Sequence, residues 1–390
     1  MAIINRIGEF HTDMTAWRRR IHTHPETAFE EHETAAFVAA QLQSFGIEVT
    51  RGLAGTGVVG TLQGLDPAAR AIALRADMDA LHIHEANGFA HASAVAGKMH
   101  ACGHDGHTAM LLGAARYLAE TRNFAGTVNF IFQPAEENEG GGRVMVEDGL
   151  FARFPVAAVY GMHNWPGLAV GSFAVRPGPM MAACDIFEIT VEGKGTHAAM
   201  PHLGIDPIIC AAQIATSLQT VTSRNTHPLE GAVVSITQIH GGDTWNVIPE
   251  TVVLRGTARS FKPQVQDAIE ASIRRIAAGV AASMGATVEL RYERRYPATV
   301  NSAAETDIAA DAASSVVGPA YVERDVQPTM GSEDFAFMLR EKPGCYIFIG
   351  NGADRAGAGL HNPHYDFNDA ILPIGASYWA TLVEHVLARG

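Results

Sequence analysis

The chain has 390 residues, 47% of them hydrophobic, and a formal net charge of −13 from 28 basic and 41 acidic residues. That length supplies one large core and more readily two domains. An acidic chain with no basic block excludes nucleic acid and anionic membrane surfaces as expected partners. No stretch reaches the apolar length of a membrane span. The opening MAIINRIGEFHTDM lacks the charged and apolar regions of a signal peptide, so a cytoplasmic location is the default expectation. Cys102, Cys184, Cys210 and Cys345 form no CxxC pair and no disulfide spacing. Thiols are expected in a reducing compartment, and the last three, in apolar settings, read as buried packing residues.

The elements alternate along the first part of the chain. Helices are predicted over Asp13–Ile21 and over Glu33–Phe45, the second closed by Gly46. Trp17 reads as core, and the run Arg18–Arg20 as a solvated helix face. The short apolar runs GVVGTL, AIALR, TVNFIF and VAAVYG have the length of buried strands. Helical patterns over Thr108–Ala119 and Arg143–Asp148 separate some of them. This alternation predicts an α/β fold with a largely parallel sheet.

The rhythm then changes. CDIFEITVEG reads as a strand and Asp206–Thr220 as a helix. AVVSITQIHGG and TVVLRGTARSF read as strands, Gln264–Ser283 as a long helix and TVELRYERRY as a last strand. The order β-α-β-β-α-β is that of the ferredoxin-like split unit. We therefore expect an inserted α+β domain at 183–297, with Gly178, Pro179 and Pro297 as hinge punctuation. Residues 1–182 and 298–390 would form one discontinuous domain, ending with the strand CYIFIG and a closing helix.

Ligands in open α/β sheets gather beyond the carboxyl ends of the strands. Asp77 and Asp79 follow AIALR, Glu136 and Glu137 follow TVNFIF, and His163 follows VAAVYG. His361 follows CYIFIG and a glycine-rich loop. Cys102 and His104 in MHACGHDGHTAM place a thiol and an imidazole one residue apart, a pairing that suits a borderline metal such as zinc. Cys102 also reads as a nucleophile activated by histidine, and the motif as a glycine turn with incidental histidines. The glutamate pair in FQPAEENEGGG divides labour between metal binding and proton transfer, or forms a solvated acidic loop. Together these N, O and S donors suffice for two metal ions.

These residues lie in motifs that resemble the dinuclear-metal aminoacylase and carboxypeptidase family. The likeness is closest to the amidohydrolase branch containing hippurate hydrolase and the plant indole-acetyl-amino-acid hydrolases. It runs through LRADMDAL, MHACGHDGHTAMLLG, FQPAEE, GMHNWP, GKGTHAAMPHLGIDP, NVIP, MGSEDF and HNPHYDF, over nearly the whole chain. The resemblance implies Cys102, His104, Glu137, His163 and His361 as metal ligands and Glu136 as general base. It implies a lid and dimerisation role for the inserted domain, with His197 stabilising the reacting carbonyl oxygen. Asn246 and Arg259 would meet the carboxylate end of the substrate. The implied reaction is hydrolysis of the amide bond of N-acyl amino acids by a homodimer or higher homo-oligomer. The cofactors would be two divalent ions, zinc or manganese foremost, with cobalt or nickel able to use the same ligands. The rivals are a cysteine-nucleophile acyltransferase or amidase built on Cys102, and a non-catalytic binding protein on this scaffold.

Two departures stand out. Asp77-Met78-Asp79 replaces the His-x-Asp ligand motif of the wider family, so both aspartates are expected to support ligands. His82 stands where the branch usually has proline. Ser332, Glu333 and Asp334 are expected to orient ligands or cap a helix, and Met180 and Met181 to line an acyl pocket or pack a core.

Overall fold

The computed structural model describes residues 1–66, 69–137, 139–353 and 358–389. The glycine-rich stretch before His361 thus lies partly outside the described residues. The chain divides into two compact units. One is Met1–Met180, Val300–Gln327 and Asp334–Gly390, and the other is Met181–Thr299 with Pro328–Glu333. The last segment departs from the boundary expected at 298. Backbone bonds tie it into the second unit: Ala182 N–H reaches Thr329 O at 3.1 Å and Gly331 O at 2.8 Å.

The first unit holds an eight-stranded sheet. Its order is Glu48–Leu53, Gly57–Gln63, Thr127–Gln133, Ala71–Asp77, Ala158–Pro166, Gly344–Gly352, Phe173–Ala174 and Val322–Glu323. The four central strands run parallel. They read as apolar runs because almost every residue in them is buried, as both faces are covered. GVVGTL proves antiparallel to Thr127–Gln133, and it pairs on its other side with Glu48–Leu53. That outer strand, EVTRGL, escapes an apolar-run reading because it is a largely exposed edge carrying charge.

Helices His11–Thr23, His104–Thr121, Ala303–Val317 and Leu372–Val386 pack against one another beside the sheet. A Cβ at Gly375 would collide with Met110 Sδ, so glycine there sets how closely two of these helices approach. The third helix reading, Thr108–Ala119, begins four residues late: the helix starts at His104.

Arg18 is a correction. Its position in a run of three arginines marks it as solvated, yet it is fully buried. Met14, Arg18, Ile21 and His22 share the buried helix face at i, i+4, i+7 and i+8. Arg18 Nε donates to Asp369 Oδ1 at 2.7 Å and Nη1 to Asp366 Oδ1 at 3.1 Å; Asp105 Oδ2 is 3.5 Å away. His22 Nδ1 lies 2.8 Å from the same Asp105 oxygen, and Nε2 is 3.3 Å from Glu85. Trp17 is half-buried and packs on the core.

The second unit has a four-stranded antiparallel sheet. Its order is Ala232–His240, Thr251–Ser260, Ala183–Glu192, Thr287–Tyr296. Helices Pro207–Thr220 and Pro263–Ser283 cover one face, giving the ferredoxin-like arrangement. Ala183–Glu192 alternates strictly, sending Phe187, Ile189 and Val191 into a core with Cys210, Ile214 and Ile273. Cys184 is on the opposite face and only half-buried, contrary to the packing role expected of it. Asp206 caps its helix by accepting Ile208 N–H at 2.9 Å.

The buried ion pairs give a pH signature. Burial opposes the charge on His22, but Asp105 first and then Glu85 overcome it and push the pKa up to about 9. The ordinary value is near 6.5, so this stabilisation is full below that pH and is lost as pH rises through about 9. We expect His22→Gln to lower stability by about 3 kcal/mol at pH 6.5. The variant should also flatten the fall in thermal midpoint between pH 7 and 9.5, read by circular dichroism melts across that range. A wild-type midpoint that does not fall more steeply than that of the variant would contradict the pairing.

Candidate metal centre

Strand register assembles the site within the first unit. Arg75 pairs with Gly161, so two residues further on Asp77 stands level with His163. Asp77 also pairs with Gln133, from which the chain passes directly to Glu136 and Glu137. His163 is not in a loop after its strand: Ala158–Pro166 continues through it. Cys102 precedes the His104 helix across Gly103, whose φ of 92° is left-handed. A Cβ at Gly103 would strike the Asn164 side chain and the Tyr365 hydroxyl, so this tight turn requires glycine. His361 also has a left-handed backbone, φ 63°, held by its N–H bond to Ala101 O at 2.8 Å.

The side chains converge in overlapping groups whose ligand atoms all lie within 4.8 Å of one another. One is Cys102, His104 and His163, a second is Cys102, Glu137 and His361, and a third is His104, Glu136 and Glu137. Cys102 Sγ is 3.3 Å from His163 Nε2, and Glu137 Oε1 is 3.1 Å from His361 Nε2. The structure therefore brings together Cys102, His104, Glu136, Glu137, His163 and His361.

Hydrogen bonds aim these groups. His163 Nδ1–H donates to Asn164 O at 2.6 Å, which turns the Nε2 lone pair toward Cys102. His104 Nδ1–H faces Asp79 Oδ1 at 3.2 Å, leaving Nε2 buried without a partner. The second Asp79 oxygen accepts Glu137 N–H at 2.9 Å. Asn164 Nδ2–H donates to Cys102 O at 2.6 Å, Asn164 N–H donates to His107 Nε2 at 2.9 Å, and Tyr365 O–H donates to Asn164 Oδ1 at 2.5 Å. Asp77 accepts from His107 Nδ1–H at 2.6 Å and from Arg75 at 2.7 Å. Asp334 accepts from Arg75, from Gln133 and from Gly142 N–H, the last in the first turn of the helix Gly141–Glu147. Its own N–H donates to Glu136 Oε1 at 3.3 Å.

The electrostatics are those of an acidic pocket. Burial works against the His104 imidazolium, but Asp77 and Asp79 push its pKa up to about 10. Burial, joined by Glu137 and Glu136, raises the Cys102 thiol. An activated cysteine nucleophile needs the opposite shift, which argues against the nucleophile reading of Cys102. Burial and His107 lower His163. His104 Nε2 is buried without a hydrogen-bond partner, while Glu137 Oε1 faces His361 Nε2. A thiol, imidazoles and carboxylates gathered around an unpartnered ring nitrogen fit a divalent cation.

The residues expected to meet the substrate, His197, Asn246 and Arg259, belong to the second unit. His197 pairs with Val247 on a two-stranded ribbon, and Ala198 N–H bonds to Asn246 O at 2.9 Å beside it. Both side chains are exposed. Arg259 is half-buried on the four-stranded sheet and donates to Ser332 Oγ at 2.9 Å. Met180 and Met181 are buried, and His82 is exposed. Sequence reasoning passed over His107, Asn164, Arg75, Tyr365 and Glu31. All but Glu31 lie inside the quoted motifs, MHACGHDGHTAM, GMHNWP, LRADMDAL and HNPHYDF, and were visible there.

Comparison with known proteins places the chain in a family. Residues 73–385 match the family described as Peptidase family M20/M25/M40. Over 381 residues the chain is 40% identical to N-acetylcysteine deacetylase of Bacillus subtilis, covering 97% of this chain and 98% of that one. It is 38% identical to hippurate hydrolase of Campylobacter jejuni, covering 98% of each. A solved Bacillus subtilis structure, a dinuclear metal binding peptidase from the M20 family, matches with a TM-score of 0.84 at 37% identity, over 97% of this chain and 99% of that one. The chain belongs to the M20/M25/M40 family and is a metal-dependent amidohydrolase. No helix among the described residues is long and apolar enough to cross a membrane.

Asp79 holds both the His104 ring and the Glu137 backbone. Asp79→Asn keeps its shape but turns an N–H₂ toward one of these donors. We expect a 10–100-fold loss of metal affinity with the fold intact. Competition against a chelator of known affinity measures it, and unchanged affinity would remove Asp79 from the support of the site.

Proposed function

We propose that the chain hydrolyses the amide bond of N-acyl amino acids, with two divalent ions held by Cys102, His104, Glu137, His163 and His361. The observation that carries this reading is the convergence of those five donors in overlapping groups, one of which includes Glu136. Cys102 and His104 each occur in more than one ligand group, as a paired site needs. The thiol favours zinc, and manganese, cobalt or nickel suit the remaining donors. The relatives act on matching chemistry by name: N-acetylcysteine deacetylase, hippurate hydrolase, and an indole-acetyl-amino-acid hydrolase of Arabidopsis thaliana at 41% identity.

When bound, the ions supply an acidified water and a Lewis acid for the scissile carbonyl. Glu136 takes the proton of the attacking water and returns it to the departing amine nitrogen. The Asp334 N–H, 3.3 Å from Glu136 Oε1, orients the carboxylate for this transfer. His197 donates to the oxygen that becomes negative as water adds. Asn246 and Arg259 receive the carboxylate on the amine side of the bond, Arg259 as a bidentate partner. Residues 183–297 act as the lid. The same unit exposes Met200, Leu203, Ile208, Ile209, Ile239, Trp245 and Val247, an apolar display that supports a homodimer through this unit.

The adjacent glutamates separate by experiment. Glu136→Gln keeps metal and loses turnover by about 10²–10⁴-fold. Glu137→Gln loses metal as well. Elemental analysis beside turnover on hippurate reads both, and a metal-loaded Glu136→Gln with wild-type turnover would displace Glu136 as base.

The carboxylate test is specific to substrate class. Wild-type enzyme should cut an N-acyl amino acid far faster than its carboxamide. Arg259→Ala should erase most of that preference, a loss of about 2–5 kcal/mol in transition-state binding for the acid. Specificity constants for both substrates with both proteins decide it. Equal rates on acid and carboxamide by the wild type point to a general amidase.

A further inference from the structure

Glu31 is a fully buried carboxyl far in sequence from the metal centre. A buried acid is costly unless donors receive it. Its donors are all neutral. Thr56 Oγ1–H donates to Oε2 at 2.7 Å, and the backbone N–H groups of Phe29 and Ala135 donate to Oε1 at 3.1 and 2.9 Å. Both backbone donors are non-glycine residues in the left-handed region, Phe29 at φ 61° and Ala135 at φ 54°. A residue with a Cβ is disfavoured there by roughly 1–2 kcal/mol. Ala135 immediately precedes Glu136 and Glu137, and its carbonyl is held in turn by Gly141 N–H at 2.9 Å.

The same N-terminal loop grips the neighbouring strand end. Ala80 N–H donates to Glu26 O at 2.8 Å, and Thr27 bridges Ala80 in parallel. Glu26 carboxylate oxygens receive Glu33 and Thr34 N–H at the start of the next helix. One loop thus fixes the backbone just after Asp79 and just before Glu136.

From this geometry we propose that Glu31 is a positioning residue, whose carboxyl clamps Ala135 in the left-handed conformation that aims Glu136. The proposal rests on Glu136 being the general base. The need is for an acceptor at Oε1 and not for a charge. Burial, with the charge of Asp79 added, pushes the Glu31 pKa up to about 7, in keeping with a group that serves while neutral. Glutamine in its place would accept both backbone N–H groups through its carbonyl and donate to Thr56 through its amide.

The test compares Glu31→Gln, Glu31→Ala and Glu31→Ala with Ala135→Gly, in metal-loaded enzyme with N-acyl amino acid as substrate. Glu31→Gln should keep kcat within about threefold. Glu31→Ala should lose about 10²-fold in kcat, the cost of a misplaced catalytic group, with KM within about threefold and metal content unchanged. Adding Ala135→Gly should recover about tenfold, because glycine adopts positive φ without a clamp. Where Glu31→Ala does not fold, Glu31→Asp withdraws the acceptor by one methylene and should show the same split. Site-resolved amide exchange adds a readout independent of turnover: the Ala135 N–H should exchange at least about tenfold faster in Glu31→Ala, and at the wild-type rate in Glu31→Gln. Wild-type kcat in Glu31→Ala, loss of metal in that variant, no recovery with Ala135→Gly, or an unchanged Ala135 amide would each overturn the clamp. An inactive wild type whose Ala135 amide is nevertheless released by Glu31→Ala would sink the hydrolase reading and leave the clamp standing.

Discussion

A polar atom buried without a partner is among the costlier arrangements in a protein interior. At the head of the first unit's sheet, His104 Nε2 is in that condition. The polar groups around the site are engaged elsewhere. Asp79 occupies the other nitrogen of His104, Asn164 O occupies the other nitrogen of His163, and Arg75 is drawn off by Asp77 and Asp334. The Arg75 cation is thus taken up by carboxylates one layer below the donors. Most of the remaining architecture serves that separation of layers.

The layering explains what could be read directly and what could not. Parallel strands buried on both faces leave apolar runs, so AIALR, TVNFIF, VAAVYG and CYIFIG announce themselves. Their register then brings the groups at their ends to one level. The strict alternation of CDIFEITVEG marks a sheet with one covered face, and the ferredoxin-like order follows from it. The donor set was legible because thiols, imidazoles and paired glutamates are rare at strand ends without a task. Local pattern says nothing of strand direction, so GVVGTL and its polar neighbour EVTRGL were not recognisable as an antiparallel edge.

The supporting layer was less legible for a related reason. Glu31 and Tyr365 act through partners distant in sequence, as Arg75 does toward Gln133 and Asp334. Arg18 shows the failure most clearly. Three consecutive arginines look like a solvated face, but helical spacing turns only one of them inward. There Asp105, Asp366 and Asp369 meet it from the helix carrying His104 and from the C-terminal part of the chain. Its burial makes sense only once those carboxylates are placed, and spacing alone does not place them.

The order in which donors occur along the chain has a consequence for how the molecule is made. Cys102, His104, Glu136, Glu137 and His163 emerge close together, whereas His361 and the anchors Asp334 and Tyr365 emerge after the whole second unit has been synthesised. Until then Gly344–Gly352, the strand that pairs with Ala158–Pro166, is missing from the sheet, and Asp334 is not there to receive Arg75. A chain growing at about 5–20 residues per second therefore passes through an interval in which the early donors exist without His361, Asp334 and Tyr365. The donor set is therefore complete only once the C-terminal part, with the last central strand of the sheet, has been made.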